Sequence, residues 1–377
     1  MKLLKNKYVV IILTVVILSL ITTSTFKKSI TDRGMIVGIS IDYVDDETID
    51  MAVQMVVPKG SSDSGAAGNS CSVVKVRGKN VIELLIDLLA KTSAYPSLAH
   101  TSTLIVGEEF LLKRDFKPIA ETLLKNTKIA EDTILVCAKG RADAVLCTDT
   151  TVNSISAFAI EKDIKSTKIV DVVAETSLAE YYISRFNKHP FFAMPYVEAS
   201  EEVYESDDGS NNGTSKPKKV VSVTSTALIG DRLALVIDKD LTVAYNIVKK
   251  DYSKGIITLM PDISFEVLSK NFDMEVETDG EKIYAKAEVE FSLSSLIDNN
   301  SVKSENLTFE VTDEQIKTLE NKIADDIKST FCLCKENALD AYNVYAKLHK
   351  KLRDDIENYP DYLENTEFEV NVKIKIF

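Results

Sequence analysis

Two stretches near the start of the chain decide its reading: Met35-Ile36-Val37-Gly38-Ile39-Ser40-Ile41-Asp42 and Thr48-Ile49-Asp50-Met51-Ala52-Val53-Gln54-Met55-Val56-Val57-Pro58, separated by the acidic turn Tyr43-Val44-Asp45-Asp46-Glu47. Both are apolar and β-branched, and the turn between them is short, so they read as a hairpin. In the second, Ile49, Met51, Val53, Met55 and Val57 alternate with Thr48, Asp50, Ala52, Gln54 and Val56, which buries one face along its whole length.

Working outward, the Gly/Ser-rich stretch 59–70 reads as a loop, and Cys71 to Val76 as a strand. Asn80 is placed to cap a helix whose apolar positions Val81, Leu84, Leu85, Leu88 and Leu89 recur at helical spacing. After Tyr95-Pro96 a buried strand runs from Ser102 to Val106 and ends at Gly107. A helical pair follows around Phe110 to Leu124, then a strand at Thr133 to Ala138 closed by Gly140. Strands alternating with helices predict a mixed sheet covered by helices rather than an all-β sandwich. This N-terminal α+β domain is expected to span residues 30–198.

Residues 199–217 form an acidic Gly/Ser/Asn linker: Glu201, Glu202, Glu205, Asp207 and Asp208 precede a Gly-Ser-Asn-Asn-Gly-Thr-Ser run. Such a tract is a solvated connection before it is a cation site. A small middle β-rich domain is expected at 218–264, with strands at Val220 to Ile229, Leu233 to Ile237 and Gly255 to Leu259 and a short helix from Leu241. So small a unit would lean on a neighbour. The C-terminal α+β domain, 265–377, opens with a hairpin around Asp279-Gly280, in which Phe272, Met274 and Val276 and then Ile283, Ala285, Ala287, Val289 and Phe291 alternate with other residues. Thr312 and Gln315 make a capping box ahead of the stripe Ile316, Leu319, Ile323, Ile327, Phe331. The stripe resumes at Ala341, Tyr345, Leu348 and Leu352, which is compatible with one long helix or with two broken near Asn337. Phe368, Val370, Val372, Ile374 and Ile376 form a closing strand. The fold class expected is α+β: an N-terminal anchor followed by three α+β domains, the last an antiparallel sheet packed on a long helix.

The start of the chain has its own character. From Tyr8 to Phe26 run 19 uncharged residues behind Lys2, Lys5 and Lys7, about the minimum for a membrane-spanning helix. Residues 1–28 therefore read as a membrane anchor or a signal segment, with residues 29–377 outside the membrane. Setting aside the five lysines of 1–28, the net charge of −13 becomes −18 for the remainder. Such an acidic body, with no basic stripe, repels phosphate backbones and excludes a nucleic-acid binder.

Chemistry-bearing patterns are sparse. The five cysteines, Cys71, Cys137, Cys147, Cys332 and Cys334, are too dispersed for a disulfide scaffold, and Cys332 and Cys334 on a helix would point about 200° apart. They read as free structural thiols. None of His100, His189 and His349 sits in a metal-ligand spacing. Glu108-Glu109 follows Gly107 at a loop-to-helix junction, where the helix dipole alone favours carboxylates. An enzymatic reading would need a pocket gathering His100, Glu108 and Glu109. No phosphate-cradling glycine loop or G-x-S-x-G elbow is present, so no catalytic, cofactor-binding or metal residue is assigned from the sequence and no cofactor is expected.

The order of segments carries a resemblance. Thr31-Asp32-Arg33-Gly34-Met35-Ile36-Val37-Gly38-Ile39-Ser40-Ile41-Asp42 is similar to the opening of the GerAC-like family, the C subunits of spore germinant receptors. Ala99 to Glu109, Val136 to Gly140, Val223 to Leu233 and Phe368 to Ile376 resemble further segments of that family, in the same order. The resemblance implies a three-domain α+β protein that is not an enzyme. It further implies attachment to the outer face of the spore inner membrane beside membrane-embedded subunits of the A and B types, and a response to small germinants such as amino acids or sugars. One departure stands out: family members usually close the signal segment with a lipid-bearing Cys, whereas Leu18-Ser19-Leu20-Ile21-Thr22 has none. A retained helix would substitute physically for a lipid anchor. The alternative is an anchored solute-binding or envelope-scaffold module with no germination role.

Overall fold

The computed structural model describes residues 33–57, 70–92, 95–148, 155–167, 172–202, 218–249, 255–260, 263–296 and 311–377. The anchor expected at 1–28, most of the loop at 59–70 and residues 203–217 of the linker lie outside them. Among the described residues no helix is long and apolar enough to cross a membrane.

The opening hairpin forms as its alternation requires. β1 (Arg33–Tyr43) pairs antiparallel with β2 (Ile49–Val57), and the Asp45 carboxylate holds the turn by accepting from the backbone N–H groups of Glu47 and Thr48 at 2.9 and 2.6 Å. β3 (Ser70–Gly78) adds to β2 and leads into α1 (Val81–Lys91), capped by Asn80, whose side chain accepts from the N–H of Glu83 at 3.0 Å. β4 (Tyr95–Ser97) pairs with the start of β1, and β5 (Thr103–Gly107) runs parallel to its later part. Then come α2 (Glu108–Lys113), α3 (Lys117–Asn126), β6 (Ile134–Ala138), α4 (Ala142–Leu146), α5 (Ser156–Thr167), α6 (Leu178–Ser184) and β7 (Phe192–Glu202). β8 (Lys218–Ile229) and β9 (Leu233–Ile237) complete a nine-stranded sheet of order β3-β2-β1-β5-β6-β7-β8-β9, with β4 beside β1.

The central strands β1, β5, β6 and β7 are parallel, with antiparallel strands on both flanks. Parallel strands are buried on both faces, and the residues obey this. Leu104, Val106, Leu135 and Cys137 join the core under α1, α2, α3 and α6, while Ile105, Val136 and Ala138 join the core under α4 and α5.

The second sheet follows α7 (Lys239–Val248). Its order is β10 (Ile256–Met260), β11 (Ile263–Thr278), β12 (Ile283–Leu296) and β13 (Thr366–Ile376). Between β12 and β13 lie α8 (Asp313–Glu336), α9 (Val344–Leu352) and a 3₁₀ turn at Arg353–Asn358. The Thr312/Gln315 capping box is formed, and Leu319, Ile323, Ile327 and Phe331 are buried as the stripe requires.

Several expectations change. The last sheet is mixed rather than antiparallel, because β13 pairs parallel with β12. The helices between them carry the chain back to the end where β12 began, as a parallel crossover must. Of the two alternatives left open for that crossover, two helices broken at Asn337 are found: Ala338 and Asn343 adopt left-handed conformations (φ 54° and 55°), and buried Asp340 accepts from the N–H groups of Val344 and Tyr345 to start α9. The segment 218–264, expected as a separate middle unit, is divided between the sheets, with β8 and β9 in the first and β10 in the second. The shared packing explains this: Leu228 and Ile237 join one core with Tyr245, Phe265 and Phe331. Residues 199–202 of the expected linker belong to β7, where backbone pairing with β8 sets Glu201 opposite Lys219 and Glu202 opposite Lys218.

Candidate functional site

In sheets with parallel strands, sites form beyond the carboxyl ends of those strands. There the structure places Asp42 at the end of β1, Gly107 at the end of β5, and Lys139-Gly140-Arg141 after β6. The buried Asp42 carboxylate accepts from the backbone N–H groups of Ala142 at 2.7 Å and Asp143 at 2.9 Å, the first two residues of α4. Gly107 is required for this approach, since a Cβ there would stand 2.6 Å from Asp42 Oδ1. Gly140, at φ 68°, turns the chain between β6 and α4.

Arg141 gathers the surrounding carboxylates. Its Nε and Nη2 donate to the two oxygens of Asp143 at 2.9 and 3.0 Å, and Nη2 also reaches Asp50 at 3.2 Å and lies 3.8 Å from Asp42. Arg77 forks onto Asp50 at 2.6 and 2.9 Å, and Lys75 Nζ donates to Asp143 at 2.9 Å. A shallow cavity of about 250 Å³ opens beside Asp50, Lys75, Arg77, Lys91 and Asp143. Burial raises the Asp42 carboxyl above its ordinary range, countered in part by the two N–H bonds and the Arg141 charge. Burial also pushes Asp143 up, but the bonds from Arg141 and Lys75 outweigh it and hold that carboxyl at about 2. Each of the three carboxylates already accepts two or three hydrogen bonds, so the arrangement is built to lock β1, β2, β3 and α4 together. Sequence reading missed it because its members come from four distant segments. The one local sign was the Gly140-Arg141-Ala142-Asp143 run at a strand end.

The residues weighed for enzymatic chemistry do not meet. His100 lies in an exposed turn ahead of β5, whereas Glu108 and Glu109 begin α2 beyond the opposite end of that strand. Glu109 pairs with Lys113 at 2.7 Å, and Glu108 accepts from the Tyr196 hydroxyl at 3.1 Å and the Gly140 N–H at 3.3 Å. His189 packs against Tyr345 and Tyr362, with ring centroids 4.6 and 4.9 Å away; burial lowers its imidazole, and the Asp340 charge opposes this. His349 stacks on Tyr345 at 5.9 Å. All five cysteines are free; Cys332 is exposed and Cys334 buried, as their spacing on α8 dictates. Among the described residues no three His, Cys, Asp or Glu side chains are grouped so as to hold a metal ion.

A second feature lies where the two sheets meet. A groove of about 500 Å³ is lined by Phe191, Tyr245, Phe272 and Tyr342, with Glu180 and Lys249 among its charged groups. Lys347 closes one side by donating to the Met274 carbonyl at 2.9 Å. Its aromatic residues are scattered over four segments, so no sequence pattern announces it.

Fold and site together define a two-sheet α+β protein with an interlocked charge cluster at one sheet edge and an aromatic groove at the junction. Residues 27–199 match the family model described as the spore germination protein N-terminal domain, and residues 224–377 match that described as spore germination B3/GerAC like, C-terminal. The chain belongs to the GerAC-like family, the C subunits of spore germinant receptors, and that membership supports a role in spore germination. The solved structure titled "Crystal Structure of the GerBC protein" shares its fold, with a TM-score of 0.54 over 90% of this chain and 97% of that one at 13% identity. No curated protein matches the chain.

Proposed function

We propose that the chain is a non-enzymatic, membrane-anchored subunit of a spore germinant receptor. It acts by protein–protein contact with membrane-embedded subunits of the A and B types on the outer face of the spore inner membrane. The observation that carries this reading is the pair of family matches, which together run through both sheets. The uncharged stretch Tyr8 to Phe26 behind three lysines supports anchoring in place of a lipid. Deleting the gene in the spore-forming host tests the reading: germination in response to at least one nutrient should be lost and restored by complementation. Unchanged germination across a broad nutrient panel would contradict it.

The junction groove favours a second reading, direct capture of a small solute. Its volume falls within the roughly 300–1,000 Å³ of small-molecule sites, and aromatic walls with a few charges suit an amphiphilic ligand. Thermal shift of the purified protein against amino acids and sugars would support this reading by a saturable rise in melting temperature. A flat response would remove it.

A further inference from the structure

The apolar surface of helix α1 is wider than the core it covers, and Glu83, Asp87 and Lys91 occupy only the remaining face. Val81, Leu84 and Leu88 face the core of the first sheet, yet Ile82, Ile86 and Leu89 on the outer side are 46%, 63% and 44% exposed, with Leu85 half-buried between the two faces. A contiguous apolar strip left outside the core marks an interaction surface. The acids beside the stripe are engaged locally: Glu83 accepts from the Lys79 N–H ahead of the helix at 2.8 Å, and Asp87 pairs with Lys91 at 2.8 Å. Lys79, just ahead of the helix, pairs with Glu47 at 2.8 Å, and Lys91 ends it.

The position of the helix identifies what covers it. α1 ends at Lys91, and the chain then enters β4, where Tyr95, 58% exposed, pairs with Arg33 at the start of β1. Tyr95 therefore flanks the point at which the chain arrives from residues 1–32, and α1 lies against the same short strand. Only residues 27–32 separate Phe26, the end of the uncharged stretch, from Arg33, a reach of at most roughly 25 Å. The helix itself is about 16 Å long, so all of its outer face lies within range of a membrane that holds the stretch. The three exposed side chains present on the order of 300 Å², well below the roughly 800 Å² per partner of a standard protein interface. A tethered surface needs far less, because attachment has already brought it to its target.

We propose that the outer face of α1 docks on the lipid bilayer, with Ile82, Ile86 and Leu89 entering the headgroup boundary. The proposal rests on the anchored reading above and fixes how the ectodomain sits on its membrane. The chain has no tryptophan, so Ile86→Trp introduces a single reporter. The full-length variant is reconstituted in phosphatidylglycerol/phosphatidylethanolamine vesicles with and without brominated acyl chains. Leu268→Trp, on the second sheet, serves as control. Brominated lipid should at least halve emission from position 86, leave position 268 unaffected, and lose its effect at position 86 when Ile82→Glu and Leu89→Glu are added. If the protein floats with the vesicles but position 86 is not quenched, docking is wrong and anchoring survives. If it does not float, both fall. Blue-shifted emission that bromine leaves unchanged assigns the face to a second copy or to residues 1–32, and likewise overturns the proposal.

Discussion

The carboxylate of Asp42 accepts the backbone N–H of Ala142 at 2.7 Å, joining the end of the first strand to a helix one hundred residues later. This bond and its companion to Asp143 satisfy two N–H groups at a helix start, and they are possible only because Gly107 leaves room for the carboxylate. Replacing Asp42 by Ala strips both donors of their acceptor in a buried place, a loss of roughly 2–4 kcal/mol. Gly107→Ala should destabilise by a similar route, through displacement of the same carboxylate. Urea denaturation of the two single variants and the double variant checks this; because they act on one bond set, the double should cost less than the sum.

Acid should weaken the edge cluster in a defined window. The folded carboxyl of Asp143 titrates at about 2, below its ordinary value of 3.8, so its contribution is complete above about pH 4 and is lost as the pH falls through 2. The size expected is roughly 1–2 kcal/mol, discounted because its cationic partners are half-exposed. Asp42 works in the opposite sense: its raised carboxyl lends stability below the unfolded value and loses it as the pH rises through the folded one. Lys75→Met should shrink the Asp143 step, seen as a shallower fall of melting temperature between pH 4 and 2.

Packing on the other face of the sheet turns on Gly38. A Cβ at that position would lie 2.6 Å from the Cβ of Ala157 and 2.8 Å from Leu146 Cδ1, so α4 and α5 sit directly on bare backbone. Gly38→Ala should destabilise by about 1–3 kcal/mol, since the first contact is with a short side chain that cannot swing away. Gln54 fastens the same helix by accepting from the Ala157 N–H and donating to Ser156, each at 3.0 Å. Gln54→Leu should cost roughly 1–3 kcal/mol by orphaning these groups. Hydrogen exchange at the start of α5 should rise in both variants.

The closing strand is held by aromatic packing. Phe368 stacks on Phe331 of α8 at 4.3 Å and meets Tyr342 edge-on at 5.5 Å. Phe368→Ala should cost about 3–5 kcal/mol, measured as a lower urea midpoint.

What the sequence reveals follows physical range. The β1–β2 hairpin, the α1 cap, β9, the Asp279-Gly280 turn and the Thr312 capping box are written in adjacent residues, and each forms as read. Three helices, α4, α5 and α6, escaped that reading, α6 despite its Ser177/Glu180 capping box; α4 is fixed from outside by Asp42, and α5 by Gln54. The assignment of β8 and β9 to the first sheet depends on pairing with β7, which no local pattern encodes. The edge cluster and junction groove are likewise made by convergence of distant segments, so neither could be read before the fold was known.

The central claim is that the chain works inside a membrane-bound receptor. The most direct measurement is purification of the tagged full-length protein from detergent-solubilised inner membranes of dormant spores, with its partners identified by mass spectrometry. The account predicts that multi-span subunits of both the A and B types copurify in fixed proportion, and that neither does when the tag is placed on an unrelated inner-membrane protein. Recovery of the protein alone from intact, solubilised inner membranes, or its presence only in the soluble spore fraction, would contradict the account.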